Sequence, residues 1–206
     1  MEPLRIALLA PKGAPFLDRV HGDPNRDVLW KLVTDEPFDS VLIAGAELPG
    51  VPLDGNVLAL HDADLTLRDR VYGGRHAVRD ALLAGEHETR STMYVVTRDG
   101  ARGPLFLLSG PYPVAPMALD ARARGDADFL MSYADLHRQW MIRESWGEMI
   151  VRALELLAAG TMKTAGDIVW IDGAPGPCRM GEAPHACHEP EAMLARGIPR
   201  SCPFIG

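Results

Sequence analysis

Three features are scarce in this sequence of 206 residues: aromatic side chains, lysines and cysteines. Aromatic residues make up 6% of the chain, and lysine and cysteine occur three times each. Long hydrophobic runs are also missing, since none approaches the roughly 18 residues that a membrane-spanning helix needs. The first residues lack a basic segment before their short apolar stretch, so they do not resemble a secretion signal. These absences predict a cytoplasmic protein with no membrane partner.

The charge balance argues against a nucleic-acid partner. The chain has 21 basic and 28 acidic residues, a formal net charge of −7, and its arginines are scattered among carboxylates without forming a basic cluster. An acidic protein also disfavours polyanionic substrates, so a small neutral or weakly charged molecule is expected. Hydrophobic residues make up 47% of the chain, which at this length predicts a compact fold with its own core.

The first part of the chain alternates between apolar runs and one helical pattern. Short apolar runs at 4–10, 41–46 and 56–61 have the length and composition of buried strands. Between the first two runs, residues 25–33 place apolar side chains at helical spacing. This order of strand, helix and strand is typical of a parallel sheet covered by helices.

The second part adds an antiparallel hairpin and a long helix. Apolar runs at 91–97 and 104–109 flank a glycine-containing turn, which predicts a hairpin. A helix is predicted from an N-cap at Ser132 to a stop at Gly160, and a further strand over 168–171. The prediction is therefore an α/β fold with a mixed sheet and helices on both faces, formed by residues 1–172.

Residues 173–206 form a tail of different composition. The tail holds five glycines and six prolines in 34 residues, too few apolar groups for a core of its own. It also contains all three cysteines of the chain and two of its seven histidines; these residues are Cys178, His185, Cys187, His188 and Cys202. The tail is predicted to pack on the same domain or on a partner subunit, which would make the protein an oligomer.

Thiolates and imidazoles are ligands for zinc, and a metal would order a tail that apolar burial cannot order. The sequence therefore predicts a zinc site in the tail, with an iron–sulfur cluster as the alternative metal centre. The adjacent His188 is the ligand most easily dropped, because residues i and i+2 point the same way in an extended strand. The spacing is not that of paired Cys-x2-Cys motifs. Three readings without a metal also remain open: small buried thiols, a disulfide, and a catalytic thiol at Cys187 beside His188.

A second group of candidates follows the predicted parallel strands. His61, Asp62 and Asp64 come at the end of the third apolar run, and Lys12 and Gly13 follow the first. Ligands of such folds bind at the carboxyl ends of the strands, where an Asp-x-Asp pair can hold magnesium and a lysine can meet a phosphate. The alternative interpretation of Asp64 is that it caps the N-terminus of a helical segment beginning at Leu65. Neither a G-x-G-x-x-G nor a P-loop motif is present.

These observations predict a metal-binding enzyme, a hydrolase or lyase, that acts on a small molecule in a strand-end cleft covered by the zinc-ordered tail. His61, Asp62 and Asp64 are its expected catalytic residues, together with Asp172 as general base. The alternative is a non-catalytic accessory or electron-transfer subunit with a structural zinc or iron–sulfur centre.

Overall fold

A seven-stranded mixed sheet organises the computed structural model, which describes residues 4–21, 30–32, 37–45, 56–67, 72–181 and 183–185. The strands within these ranges are β1 (Leu4–Leu9), β2 (Trp30–Leu32), β3 (Ser40–Ala44), β4 (Asn56–His61), β5 (Glu88–Thr89), β6 (Thr92–Val96), β7 (Arg102–Ser109), β8 (Tyr112–Pro113), β9 (Met162–Ala165), β10 (Ile168–Ile171), β11 (Ala174–Pro175) and β12 (Cys178–Met180). The helices are α1 (Leu17–His21), α2 (Ala77–Ala84), α3 (Pro116–Ala123), α4 (Ala127–Met141), a π-helical segment (Ile142–Trp146) and α5 (Gly147–Ala158).

The large sheet has the strand order β12-β7-β6-β4-β3-β1-β2. Strands β2, β1, β3 and β4 run parallel, whereas β6 pairs antiparallel with both β4 and β7. The predicted mixed α/β fold is thereby confirmed, including the hairpin. Because β6 is antiparallel to β4, its first residue lies at the same sheet edge as the carboxyl ends of β3 and β4. This edge is where a ligand of such a fold would bind.

Alternate residues of the central strands face opposite sides of the sheet. Leu42 and Leu58 belong to the core cluster that contains Met149 and Ile150 of α5. Val41 and Val57 point to the other face and form a separate buried cluster. The central strands are therefore buried on both faces, which explains why they are continuous apolar runs in the sequence.

The long helical region starts earlier than the sequence predicts. Asp126 is the N-cap of α4, since its Oδ1 accepts a hydrogen bond from the Phe129 N–H at 3.1 Å. Ser132 lies inside the helix and donates to the Asp128 carbonyl, so the predicted cap at Ser132 is wrong. The helix ends at Ala158, just before Gly160, whose φ of +66° supports the predicted stop.

One further expectation is corrected by the structure. Residues 30–32, inside the predicted helix 25–33, form β2 and pair in parallel with β1, so the helix prediction is wrong there. Residues 178–180 of the tail form β12, which adds a strand parallel to β7. No helix in the part of the chain that is described is long and apolar enough to cross a membrane.

Candidate functional site at the strand ends

A pocket of about 190 Å³ opens at the carboxyl ends of β1 and β3. One wall is formed by the loop after β1, from Pro11 to Phe16, and by Ala44 and Gly45 at the end of β3. The opposite wall comes from α4 and the π-helical segment that follows it. A π-helical segment is a rare local structure that occurs often at functional sites.

The pocket lining combines two kinds of side chain. Phe16, Ile142 and Trp146 supply apolar surface, whereas Arg138 and Arg143 supply guanidinium groups. A pocket with this lining suits a molecule that combines an apolar body with an anionic group. The expectation of a small neutral or weakly charged substrate rested on the net charge of the whole chain, and the two arginines of the pocket favour the weakly charged, anionic kind.

His61 ends β4, the strand next to β3. Its Nε2 lies 2.8 Å from the carbonyl oxygen of Tyr72, and because a carbonyl can only accept, Nε2 carries the hydrogen. In the neutral imidazole the other nitrogen, Nδ1, therefore holds the lone pair. This atom lies 3.8 Å from Oδ1 of Asp62, and 17% of the His61 side chain is exposed.

Asp62 connects His61 with the pocket. The carboxylate is buried, with 6% of the residue exposed, and its Oδ2 accepts a short hydrogen bond from Nε of Arg138. Arg138 also lines the pocket, so its side chain contacts both the pocket and the Asp62 carboxylate beside His61. A buried carboxylate that pairs with an arginine is held in a fixed position.

Asp64 has a different environment. Its Oδ1 accepts from the Thr66 N–H at 2.9 Å, and its Oδ2 lies 3.5 Å from Nε of Arg90. Asp64 therefore closes a turn, and because the described residues 65–67 form a turn and not a helix, the alternative N-cap role at Leu65 is not seen. Asp62 and Asp64 face different arginines and do not converge on one position, as a magnesium site would require.

The remaining strand-end candidates are placed as follows. Gly13 lines the pocket, and Lys12 is exposed in the same loop between pocket residues. Asp172 lies in an exposed turn after β10, in the separate three-stranded sheet, with a φ of +52°. It is therefore not among the residues that surround the pocket.

The tail residues do not assemble a metal centre in the described part of the chain. His185 stacks on the ring of Tyr112, with 4.0 Å between the ring centroids, and Cys178 is a free cysteine in β12. Cys187, His188 and Cys202 lie outside the described residues. Within the described ranges, no three His, Cys, Asp or Glu side chains form a group that would hold a metal ion.

Sequence reasoning missed most of the pocket lining, including Arg138, Arg143 and Trp146, and it also missed Ser91. Arg138 and Trp146 lie on one helical stretch, where the apolar pattern indicated only core packing. Ser91 precedes β6, and its Oγ accepts from the Trp146 indole N–H at 3.1 Å. The π-helical turn that places Trp146 here has no signature in the sequence.

No protein-family model matches the sequence, and no curated protein does either. The fold is similar to phosphoribosylglycinamide formyltransferase from Coxiella burnetii, with a TM-score of 0.54 and 15% identity over 87% of this chain and 100% of that one. The corresponding enzyme from Anaplasma phagocytophilum gives 0.55 and 14% over 88% and 100%. A formyltetrahydrofolate deformylase from Burkholderia mallei gives 0.51 and 12% over 82% and 71%. Identities this low establish a shared fold.

These similarities overturn the metal-dependent function expected from the tail. The chain has the fold of formyltransferases and a deformylase, and its described residues contain no metal-binding group. The predicted zinc site, the iron–sulfur alternative and the metal-assisted hydrolase or lyase class are therefore wrong. The physical reason is visible at His185, whose imidazole is engaged by the Tyr112 ring as a packing group.

Proposed function

We propose that this chain is an enzyme that transfers or removes a formyl group carried by a small molecule bound in the strand-end pocket. The observation that carries the proposal is the position of Arg138, which lines the pocket and holds the carboxylate beside His61. The fold supports the same reaction class, because the similar structures include formyltransferases and a deformylase.

His61 supplies the proton transfer that this reaction needs. An amine or a water molecule adds to the formyl carbon and loses a proton, the bond from that carbon to the donor nitrogen breaks, and the departing nitrogen gains a proton. The Nδ1 lone pair of His61 accepts the first proton and returns it to the departing nitrogen. The carboxylate of Asp62, 3.8 Å from Nδ1, stabilises the imidazolium formed between these steps.

The pocket supplies binding and orientation. Arg138 and Arg143 favour a substrate with a carboxylate or phosphate group. The apolar side chains of the pocket favour a substrate with a hydrophobic part. His61 is not among the pocket-lining residues, so the mechanism requires the formyl group to extend from the pocket toward the end of β4, where His61 lies. Holding the reacting groups in position contributes to the rate independently of proton transfer.

A ligand-binding protein without turnover is the second candidate function. Asp62 and Asp64 are both engaged by arginines, through Arg138 and Arg90, so His61 alone serves as a proton-transfer group at this edge of the described structure. A single proton-transfer group would support a slow reaction or no reaction at all. The same pocket would then serve to bind and retain its ligand.

Turnover distinguishes the two functions. The purified protein is incubated with formyltetrahydrofolate, alone and with phosphoribosylglycinamide, and formate and formylated product are measured by mass spectrometry. We expect turnover in the wild type and a decrease of roughly 10²- to 10⁴-fold in His61→Gln. His76→Gln is the matched control, because His76 is exposed and its side chain makes no capping hydrogen bond.

Two results would contradict the enzyme proposal. An unchanged rate in His61→Gln would remove His61 from the mechanism. Binding of either compound by calorimetry without formate or formylated product would support the binding protein in place of the enzyme.

A further inference from the structure

Trp146 bridges two strands that are not neighbours in the sheet. Its indole N–H donates to Ser91 Oγ before β6, and its six-membered ring approaches Gly45 after β3. Strand β4 lies between β3 and β6, so these anchors are two strand spacings apart, roughly 10 Å. The indole therefore extends beneath the end of β4, where His61 emerges.

Both anchors are specific for this ring. A Cβ on Gly45 would lie 3.3 Å from Cζ3 of Trp146, and Gly45 has a φ of +76°, so the close approach depends on glycine. At the other anchor Ser91 is fully buried, and its Oγ also accepts from the hydroxyl of Ser145 at 3.2 Å. With 2% of its surface exposed, Trp146 is fixed in position and closes one end of the pocket.

We infer that Trp146 is a specificity-determining residue that limits the depth of the pocket to a single ring, and that Ser91 is its positioning residue. A cavity of roughly 150 Å³ holds one benzene molecule. The pocket of about 190 Å³ therefore admits one ring with a small substituent, and the indole blocks the space that a fused second ring needs. The inference rests on the proposed function in one respect, namely that part of the substrate enters this pocket. The fused two-ring group of formyltetrahydrofolate would then lie outside the depth-limited part of the pocket.

Benzoate and 2-naphthoate test the depth limit without using the formyl reaction. Each compound carries one carboxylate that can pair with Arg138 or Arg143, and the two compounds differ by one fused ring. We expect the wild type to bind benzoate more tightly by calorimetry. In Trp146→Ala the ratio of naphthoate to benzoate affinity should rise by roughly tenfold or more, because the second ring gains the vacated space.

Trp146→Phe covers the case in which the alanine variant does not fold, since it keeps an aromatic ring in the core. It should change the affinity ratio in the same direction by a smaller factor. An unchanged ratio in Trp146→Phe, or a wild type that binds neither probe or prefers 2-naphthoate, would overturn the inference.

The positioning role of Ser91 is tested without any ligand. The four tryptophans give four indole N–H signals in a ¹⁵N NMR spectrum, and Trp146→Phe identifies the signal of Trp146. In Ser91→Ala this signal should shift and exchange with deuterium several-fold faster, because its acceptor is gone. Benzoate affinity should fall several-fold in the same variant.

Ser40→Ala is the matched control. Ser40 is also buried, but it lies at the start of β3, at the opposite end of that strand from Gly45. A Trp146 signal that changes equally in both variants would show a general structural effect and contradict the role of Ser91. Benzoate binding without formyl turnover would support the depth limit while contradicting the proposed reaction.

Discussion

Two regions of the molecule use histidine in opposite ways. At the strand-end edge, His61 is partly exposed, lies beside the carboxylate of Asp62, and keeps a ring nitrogen with a lone pair. In the aromatic cluster, formed by Tyr112, Tyr133, His137, Trp140 and His185, imidazoles pack against other rings. The comparison shows that the surroundings of a histidine, and not the residue type, decide whether it is available for proton transfer.

His137 is the clearest member of the cluster. It is fully buried, its Nε2 lies 2.7 Å from the Thr89 hydroxyl, and its Nδ1 lies 3.3 Å from the Tyr133 hydroxyl. Burial lowers its pKa to about 4, so the ring is neutral at pH 7. His137 therefore stabilises the fold and takes no part in chemistry at the pocket.

Replacing His137 by alanine should have the largest effect on stability. The variant loses a buried ring and its hydrogen bonds, which we expect to lower the free energy of unfolding by about 3 kcal/mol or more. Urea denaturation measures the loss, with the exposed His76→Ala as control. Benzoate affinity of the folded fraction should stay unchanged, and a selective loss of binding in a stable variant would erase the distinction between the two regions.

The same residue predicts a pH dependence of stability. A histidine in the unfolded chain binds a proton near pH 6.5, whereas His137 in the fold does so only near pH 4, so the unfolded state binds more protons between these values. The free energy of unfolding should therefore decrease by up to about 3 kcal/mol as the pH falls from 6.5 to 4. Above pH 6.5, His137 should cause no change of stability with pH.

Unfolding free energies measured across this pH range test the dependence. Burial also lowers the pKa of His185, which acts in the same direction, so the wild type is compared with His137→Gln. The glutamine variant should show a flatter profile. An equal slope in both proteins would assign the dependence to other groups.

Arg138 belongs to the opposite region, where charge and not ring packing holds the structure. In Arg138→Met the carboxylate of Asp62 remains buried without this partner, which should lower stability by about 2 kcal/mol. Benzoate affinity should fall as well, because the pocket loses a guanidinium group.

A second substitution separates the two effects of Arg138. Adding Asp62→Asn removes the buried charge and should restore part of the stability but none of the binding. Arg79→Met is a control, since Arg79 pairs with Asp80 at an exposed position. Recovery of benzoate affinity in the double variant would place the binding determinant elsewhere.

The central strands of the sheet were predictable from the sequence, because buried strands require continuous apolar runs that are visible without a structure, whereas the edge strands β2 and β12 were not. Strands β3 and β4 and the β6–β7 hairpin lie where those runs predict. The same reasoning predicts a site at the edge where His61 lies, and this stays a prediction. The contacts at this edge were not predictable, since the pairing of Asp62 with Arg138 joins residues 76 positions apart and no local pattern records such a contact.

In the tail, by contrast, sequence reasoning predicted a shared metal site that the described residues do not form. Cysteines and histidines close together in sequence suggested a shared metal, but ligand geometry depends on where the backbone goes. Cys178 is placed on β12 beside β7, and the imidazole of His185 stacks on Tyr112. The composition of the tail shows which side chains could bind a metal, whereas only the fold shows which of them lie close together.

Tyr133→Phe, within the aromatic cluster, should lower stability less than His137→Ala or Arg138→Met. The hydroxyl of Tyr133 accepts from the Ala115 N–H at 2.8 Å, at the start of α3, while its ring packs beside Phe129 and His137. Removing the hydroxyl keeps the ring contacts and leaves that buried N–H without this acceptor, so stability should fall by about 1 kcal/mol. Urea denaturation measures the change, and Tyr133→Leu should lower stability further because the ring is lost too. If the two variants were equally stable, ring packing would contribute nothing here, and the cluster would owe its stability to hydrogen bonds, as the pocket edge does to its ion pairs.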